Sequence, residues 1–90
     1  MKIISNYEIK SDKLSKIISN YLWDKNKEEY KYQEEASELL YIIEGVKDIK
    51  TLTERISSFY LNFKIDDKFS NYEELSKLIA RDYLDFLSNQ

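Results

Sequence analysis

Apolar residues recur at helical spacing along most of this chain, and the clearest run lies between positions 28 and 44. Residues three or four positions apart stack along one face of a helix, so the run predicts a helix with one buried side. Glutamates fill much of the remaining surface. Gly45, the only glycine, follows the run, and a left-handed glycine commonly ends a helix. The apolar positions on the predicted buried face are Tyr32, Ala36, Leu39, Leu40 and Ile43.

The same spacing predicts three further helices, at about 12–25, 49–63 and 71–88. The segment Lys10–Lys13 is polar, so residues 1–10 are expected to form either an arm or an extra turn before the first helix. Asp48 or Thr51 is expected to begin the helix at 49–63.

Four helices of this length joined by short connections predict an all-α fold, an antiparallel up-down four-helix bundle in a single domain over residues 1–90. The 90 residues contain no proline to interrupt a helix and no cysteine to form a disulfide. The longest apolar run, Leu39–Ile43, is far shorter than the ~20 residues of a spanning helix. We therefore expect a cytoplasmic protein.

Histidine is also absent, so the chain has neither the commonest general base nor, without cysteine, a thiol nucleophile. A single glycine excludes phosphate-binding and dinucleotide-binding loops. Asp66, Asp67, Glu73 and Glu74 are close in sequence but lack the ligand alternation of a calcium loop. The sequence therefore predicts no enzyme activity, no metal and no cofactor.

The net charge is −3, made up of +3 over residues 1–27 and −6 over residues 28–90. An acidic surface opposes nucleic acid and favours a basic protein partner, while the lysines of the first helix leave peripheral contact with an anionic membrane open. Most of the eight tyrosines, Tyr41 among them, lie on or beside apolar faces. Tyr30 and Tyr60 fit these faces less well, and Tyr30 stands among acids as exposed interface aromatics do.

Residues 52–79 are similar to a known family. Leu-Thr-Glu-Arg-Ile-Ser-Ser-Phe-Tyr-Leu-Asn-Phe at 52–63, Lys-Ile-Asp-Asp-Lys-Phe at 64–69 and Tyr-Glu-Glu-Leu at 72–75 resemble the pediocin- and enterocin-type bacteriocin immunity proteins. The shared features are a helix with an internal arginine, a lysine-bearing turn and a last helix that opens with acidic residues. The resemblance spans about residues 12–88. The chain lacks the tail that many members carry after the fourth helix, which leaves its partner undefined.

The resemblance implies a four-helix cytosolic protein that protects a bacteriocin producer without catalysis. Members are thought to act at the inner membrane face, where they recognise the sugar-transport permease once the bacteriocin has engaged it. By geometry rather than by family motif, the contact surface is expected in the third connection and the last helix. The candidate residues are Lys64, Asp66, Asp67, Lys68, Tyr72 and Arg81.

A different class of function is a soluble acidic inhibitor of a basic enzyme, such as a nuclease-toxin immunity protein, an antitoxin or a phage-encoded inhibitor. An acidic helix bearing a tyrosine can imitate a nucleic acid backbone. A scaffold or oligomerisation bundle is a third possibility, and the oligomeric state stays open. The residues expected on the inhibitor face are Glu28, Tyr30, Glu34 and Glu35.

Overall fold

The computed structural model describes residues 6–22, 25–63 and 72–89, and the regular elements in these ranges are all helices. The all-α prediction is therefore confirmed, whereas the up-down order of the helices and the single domain stay predictions. Helices α2 to α4 match the expected bounds to within one residue. The four helices are α1 (Asn6–Tyr21), α2 (Glu29–Ile43), α3 (Ile49–Phe63) and α4 (Tyr72–Ser88).

Helix α1 corrects the expected bounds of 12–25, because it begins at Asn6 and ends at Tyr21. The polar segment at 10–13 does not interrupt it, since lysine, serine and aspartate each cost only a few tenths of a kcal/mol in a helix relative to alanine. The Tyr7 hydroxyl also donates a hydrogen bond to the Ser37 carbonyl oxygen of α2 at 2.8 Å. Residues 6–10 are thus part of a helix that is tied to its neighbour.

The connection between α2 and α3 is set by local chemistry. Gly45 has a φ of 85°, and the backbone N–H of Val46 donates to the Ile43 carbonyl at 3.0 Å, as expected for a glycine-terminated helix. Asp48 rather than Thr51 caps α3. Its Oδ2 accepts hydrogen bonds from the Thr51 backbone N–H at 2.8 Å and from the Thr51 hydroxyl at 2.7 Å.

The chain divides into two compact units, Met1–Tyr41 and Ile42–Gln90. The first contains α1 and α2 as far as Tyr41. Its Tyr32 is buried and donates its hydroxyl proton to the Leu22 carbonyl at 3.2 Å, so the polar end of this core residue is satisfied. Among the described residues of this unit, the other buried apolar side chains are Leu14, Ile17, Ile18, Leu22, Ala36, Leu39 and Leu40.

The second unit contains the last two residues of α2 together with α3 and α4, and α3 packs against α4. Tyr60, which fitted the apolar face less well in the sequence, is fully buried, with its ring edge-on to Phe59 at 5.2 Å between centroids. The Arg55 guanidinium donates to the Ile42 carbonyl at 2.9 Å. This arginine of α3 thus satisfies a carbonyl in the last turn of α2.

Candidate functional site

The predicted surface around the third connection is described only in part. Lys64, Asp66, Asp67 and Lys68 lie outside the described residues. Tyr72 is the first residue of α4 and is half-buried, while Arg81 is exposed. Their separation of nine residues is two and a half helical turns, so the two side chains lie on opposite faces of α4.

The predicted acidic face is exposed at three of its four positions. Glu28 immediately precedes α2, and Glu34 lies one turn after Tyr30 within it. The Tyr30 side chain is 51% exposed, as its position among acids predicts. These residues therefore form a solvent-facing surface on the first unit.

Glu35 is placed differently. Its side chain is only 12% exposed, and its Oε2 accepts a hydrogen bond from the Lys27 ammonium, which is itself 22% exposed. The Lys27 nitrogen also lies over the Tyr32 ring, 4.3 Å from the centroid, in a cation–π contact. The buried Oε1 of Glu35 has no hydrogen-bond partner among the described residues. Glu35 is thus a partly buried ion-pair residue and adds no free charge to the acidic face.

Tyr41 is the surface residue that the hydrophobic pattern missed. It was expected beside the apolar face, but its side chain is 84% exposed. The signal was present in the spacing, because Tyr41 lies three helical turns after Tyr30 and therefore on the same side of α2. The acidic face thus carries two exposed aromatic rings instead of one.

Two ionisable groups elsewhere in the chain have displaced pKa values. The hydrogen bonds from Thr51 lower the pKa of Asp48 below its usual 3.8. Burial, with the charge of Glu44 as a smaller contribution, raises the pKa of Tyr83 above 10.0. Both shifts arise from capping and core packing, and neither group belongs to the candidate surfaces.

In the part of the chain that the structure describes, no group of three or more aspartate or glutamate side chains is arranged to hold a metal ion. Over the same ranges, none of the helices has both the length and the apolar character needed to cross a bilayer. Asp66 and Asp67, the adjacent acids considered in the sequence as metal ligands, lie outside these ranges.

Comparisons with protein-family models, with curated proteins and with solved structures find no match to this chain. The family resemblance at residues 52–79 consequently stays a hypothesis that rests on the residues quoted for it.

Proposed function

We propose that this chain is a bacteriocin immunity protein that protects a producing cell by binding, without chemistry of its own. The proposal rests on the resemblance of residues 52–79 to the pediocin- and enterocin-type family. It is supported by the placement of that stretch, since most of it falls on α3 and α4, which pack together in the second unit. The buried apolar positions among its described residues are Leu52, Ile56, Phe59, Tyr60, Leu75 and Ile79.

The internal arginine of the resemblance has a structural role that suits a binding protein. Arg55 joins α3 to the Ile42 carbonyl in the second unit, which holds the helix ends in a defined geometry. A recognition surface on folded helices suits a binding protein, because less conformational entropy is lost on binding than when an unfolded segment must be ordered. The sequence also has no histidine or cysteine to support catalysis.

In this proposal the partner is the sugar-transport permease carrying its bound bacteriocin, reached from the cytoplasmic side by peripheral contact with the membrane. The proposed contact surface comprises the third connection and the exposed side of α4. Arg81 is exposed and available on that helix, whereas Tyr72 lies on its opposite face. Arg81 is therefore a stronger contact candidate than Tyr72.

The test is expression of the full chain in a sensitive Gram-positive host, followed by challenge with a panel of pediocin-like peptides. Survival against one or two peptides supports immunity. If that survival is lost when residues 64–90 are replaced by those of a family member, specificity resides in residues 64–90. A double variant, Lys64→Glu with Lys68→Glu, should abolish protection. The matched control is the double charge reversal Lys47→Glu with Lys50→Glu, at exposed positions near the start of α3, and it should leave protection intact.

Full protection by the Lys64 and Lys68 double variant would rule out the proposed contact surface. Sensitivity to every peptide, with the chain shown to be expressed and folded, argues against immunity. That result favours the soluble inhibitor, for which binding to purified basic nucleases is the corresponding measurement.

A further inference from the structure

The outward face of α2 carries two large aromatic side chains that take no part in a core. Tyr30 is 51% exposed and Tyr41 is 84% exposed, and both belong to the first unit. Eleven positions separate them, which is three helical turns, so they lie about 16 Å apart along the axis and within about 20° of one another around it. A single partner segment can therefore reach both rings.

Helix stability does not account for these tyrosines. At exposed positions, alanine, lysine or glutamate is a better helix former than tyrosine. A tyrosine with more than half of its side chain in water also adds little apolar burial to the fold. Rigid aromatic side chains on a helix are, by contrast, efficient interface anchors, because few rotatable bonds are immobilised for the area they bury.

The charges around the two rings determine the chemistry of an occupant. Glu34 lies between the tyrosines, one turn from Tyr30 and two turns from Tyr41. Glu35 contributes no net charge because it pairs with Lys27. The exposed charged residues between positions 28 and 41 are four acids and one base, a net −3: Glu28, Glu29, Glu34 and Glu38 against Lys31.

We propose that this face binds a protein segment rich in arginine or lysine. Its cationic side chains would lie over the rings of Tyr30 and Tyr41 and pair with Glu34 and Glu38. Nucleic acid is disfavoured as the occupant because its phosphates would meet exposed carboxylates. A second copy of this chain bound face to face is disfavoured for the same reason, since it would set glutamates against glutamates. The proposal does not depend on bacteriocin immunity.

The probe for the test is fluorescently labelled nona-arginine, titrated with the full chain at moderate salt and followed by anisotropy. Tyr30→Ala and Tyr41→Ala should each weaken binding about three- to tenfold, since each removes one cation–π contact. Tyr41→Phe keeps the ring and should bind like the parent. Leu61→Ala, a truncation of a residue 60% exposed on α3, is the matched control and should have no effect.

Two further measurements test where the probe binds and whether the variants stay folded. In amide NMR spectra of the labelled chain, nona-arginine should shift resonances between positions 30 and 41 more than those of α3 and α4. Circular dichroism should show that the tyrosine variants retain the parent helix content, because the truncated side chains are exposed.

Equal affinity of the parent, Tyr30→Ala and Tyr41→Ala for the probe would overturn the proposal, since binding would then reflect net charge alone. Amide shifts centred on another helix would also overturn it. Self-association that Tyr41→Ala abolishes would assign the face to a second copy of the chain. Binding of duplex DNA that weakens in the tyrosine variants would assign it to nucleic acid.

Discussion

Removal of the Lys27 ammonium is the most informative single perturbation of this fold. Lys27→Met keeps the aliphatic stem over the Tyr32 ring but deletes the charge that pairs with Glu35. The Glu35 carboxylate would then stay in a site where its side chain is only 12% exposed, with one oxygen already buried. Because a desolvated carboxylate is stabilised by its cationic partner, this substitution should lower the free energy of unfolding.

The magnitude follows from the burial of the pair. Exposed ion pairs contribute about 0–1 kcal/mol, and removing one partner of a fully buried pair costs about 3–5 kcal/mol. With side chains 22% and 12% exposed, the pair lies between these limits, so we expect a loss of about 1.5–3 kcal/mol. Asp12 and Lys16 on α1 form the matched control, at 3.9 Å with side chains 61% and 72% exposed. Lys16→Met should cost about 0.5 kcal/mol or less.

The assay is urea unfolding at neutral pH, followed by far-UV circular dichroism. With a denaturant slope of about 1–1.5 kcal/mol per molar for a domain of this size, Lys27→Met should lower the midpoint by about 1–3 M. A double-mutant cycle with Glu35→Gln isolates the pairwise contribution, because it subtracts effects of each substitution alone. Salt at about 1 M should reduce the contribution of the Asp12–Lys16 pair by a larger fraction than that of the Lys27–Glu35 pair.

The reasoning is refuted if Lys27→Met and Lys16→Met shift the midpoint equally. A coupling energy near zero in the Lys27 and Glu35 cycle would lead to the same conclusion, since the burial of Glu35 would then be independent of its partner.

Three further predictions concern the core and the ends of the helices. Leu40→Asp should cost several kcal/mol and abolish cooperative melting, because it buries an unpaired carboxylate at a position with no exposure; unchanged melting would contradict this. Gly45→Ala should cost about 1 kcal/mol in urea unfolding through its positive φ alone, since an added Cβ meets no atom within 4 Å. The lowered pKa of Asp48 means that its capping contribution is present above the usual value of 3.8 and is lost as pH falls through the folded-state pKa. As the pH is lowered, the free energy of unfolding should therefore fall less steeply in Asp48→Asn than in the parent.

The candidate surfaces show which side-chain environments a sequence pattern can predict and which it cannot. The exposure of Tyr30 followed from its acidic neighbours in the chain. The placement of Glu35 did not, because its partner Lys27 lies eight positions upstream in the connection before α2, and no local pattern pairs the two. Tyr41 was assigned to the wrong environment although its distance from Tyr30 indicated the exposed side of the helix.

The amino-acid sequence by itself determined the helices of this protein. Apolar residues three and four apart, a chain without proline and one glycine at a helix end were sufficient to locate α2, α3 and α4 to within one residue. Helix formation depends on the residues of the helix itself, so the necessary information is local.

Only the tertiary structure decided which residues at the margins of the apolar faces become buried. Tyr60 is fully buried on α3, although it lies at the edge of the apolar face and fitted the hydrophobic pattern less well. The physical reason is that a helix can rotate by a few tens of degrees about its axis when it packs, and the packing of neighbouring segments selects that angle. Residues at the centre of an apolar face are unaffected by this rotation, whereas those at its edge are buried or exposed by it.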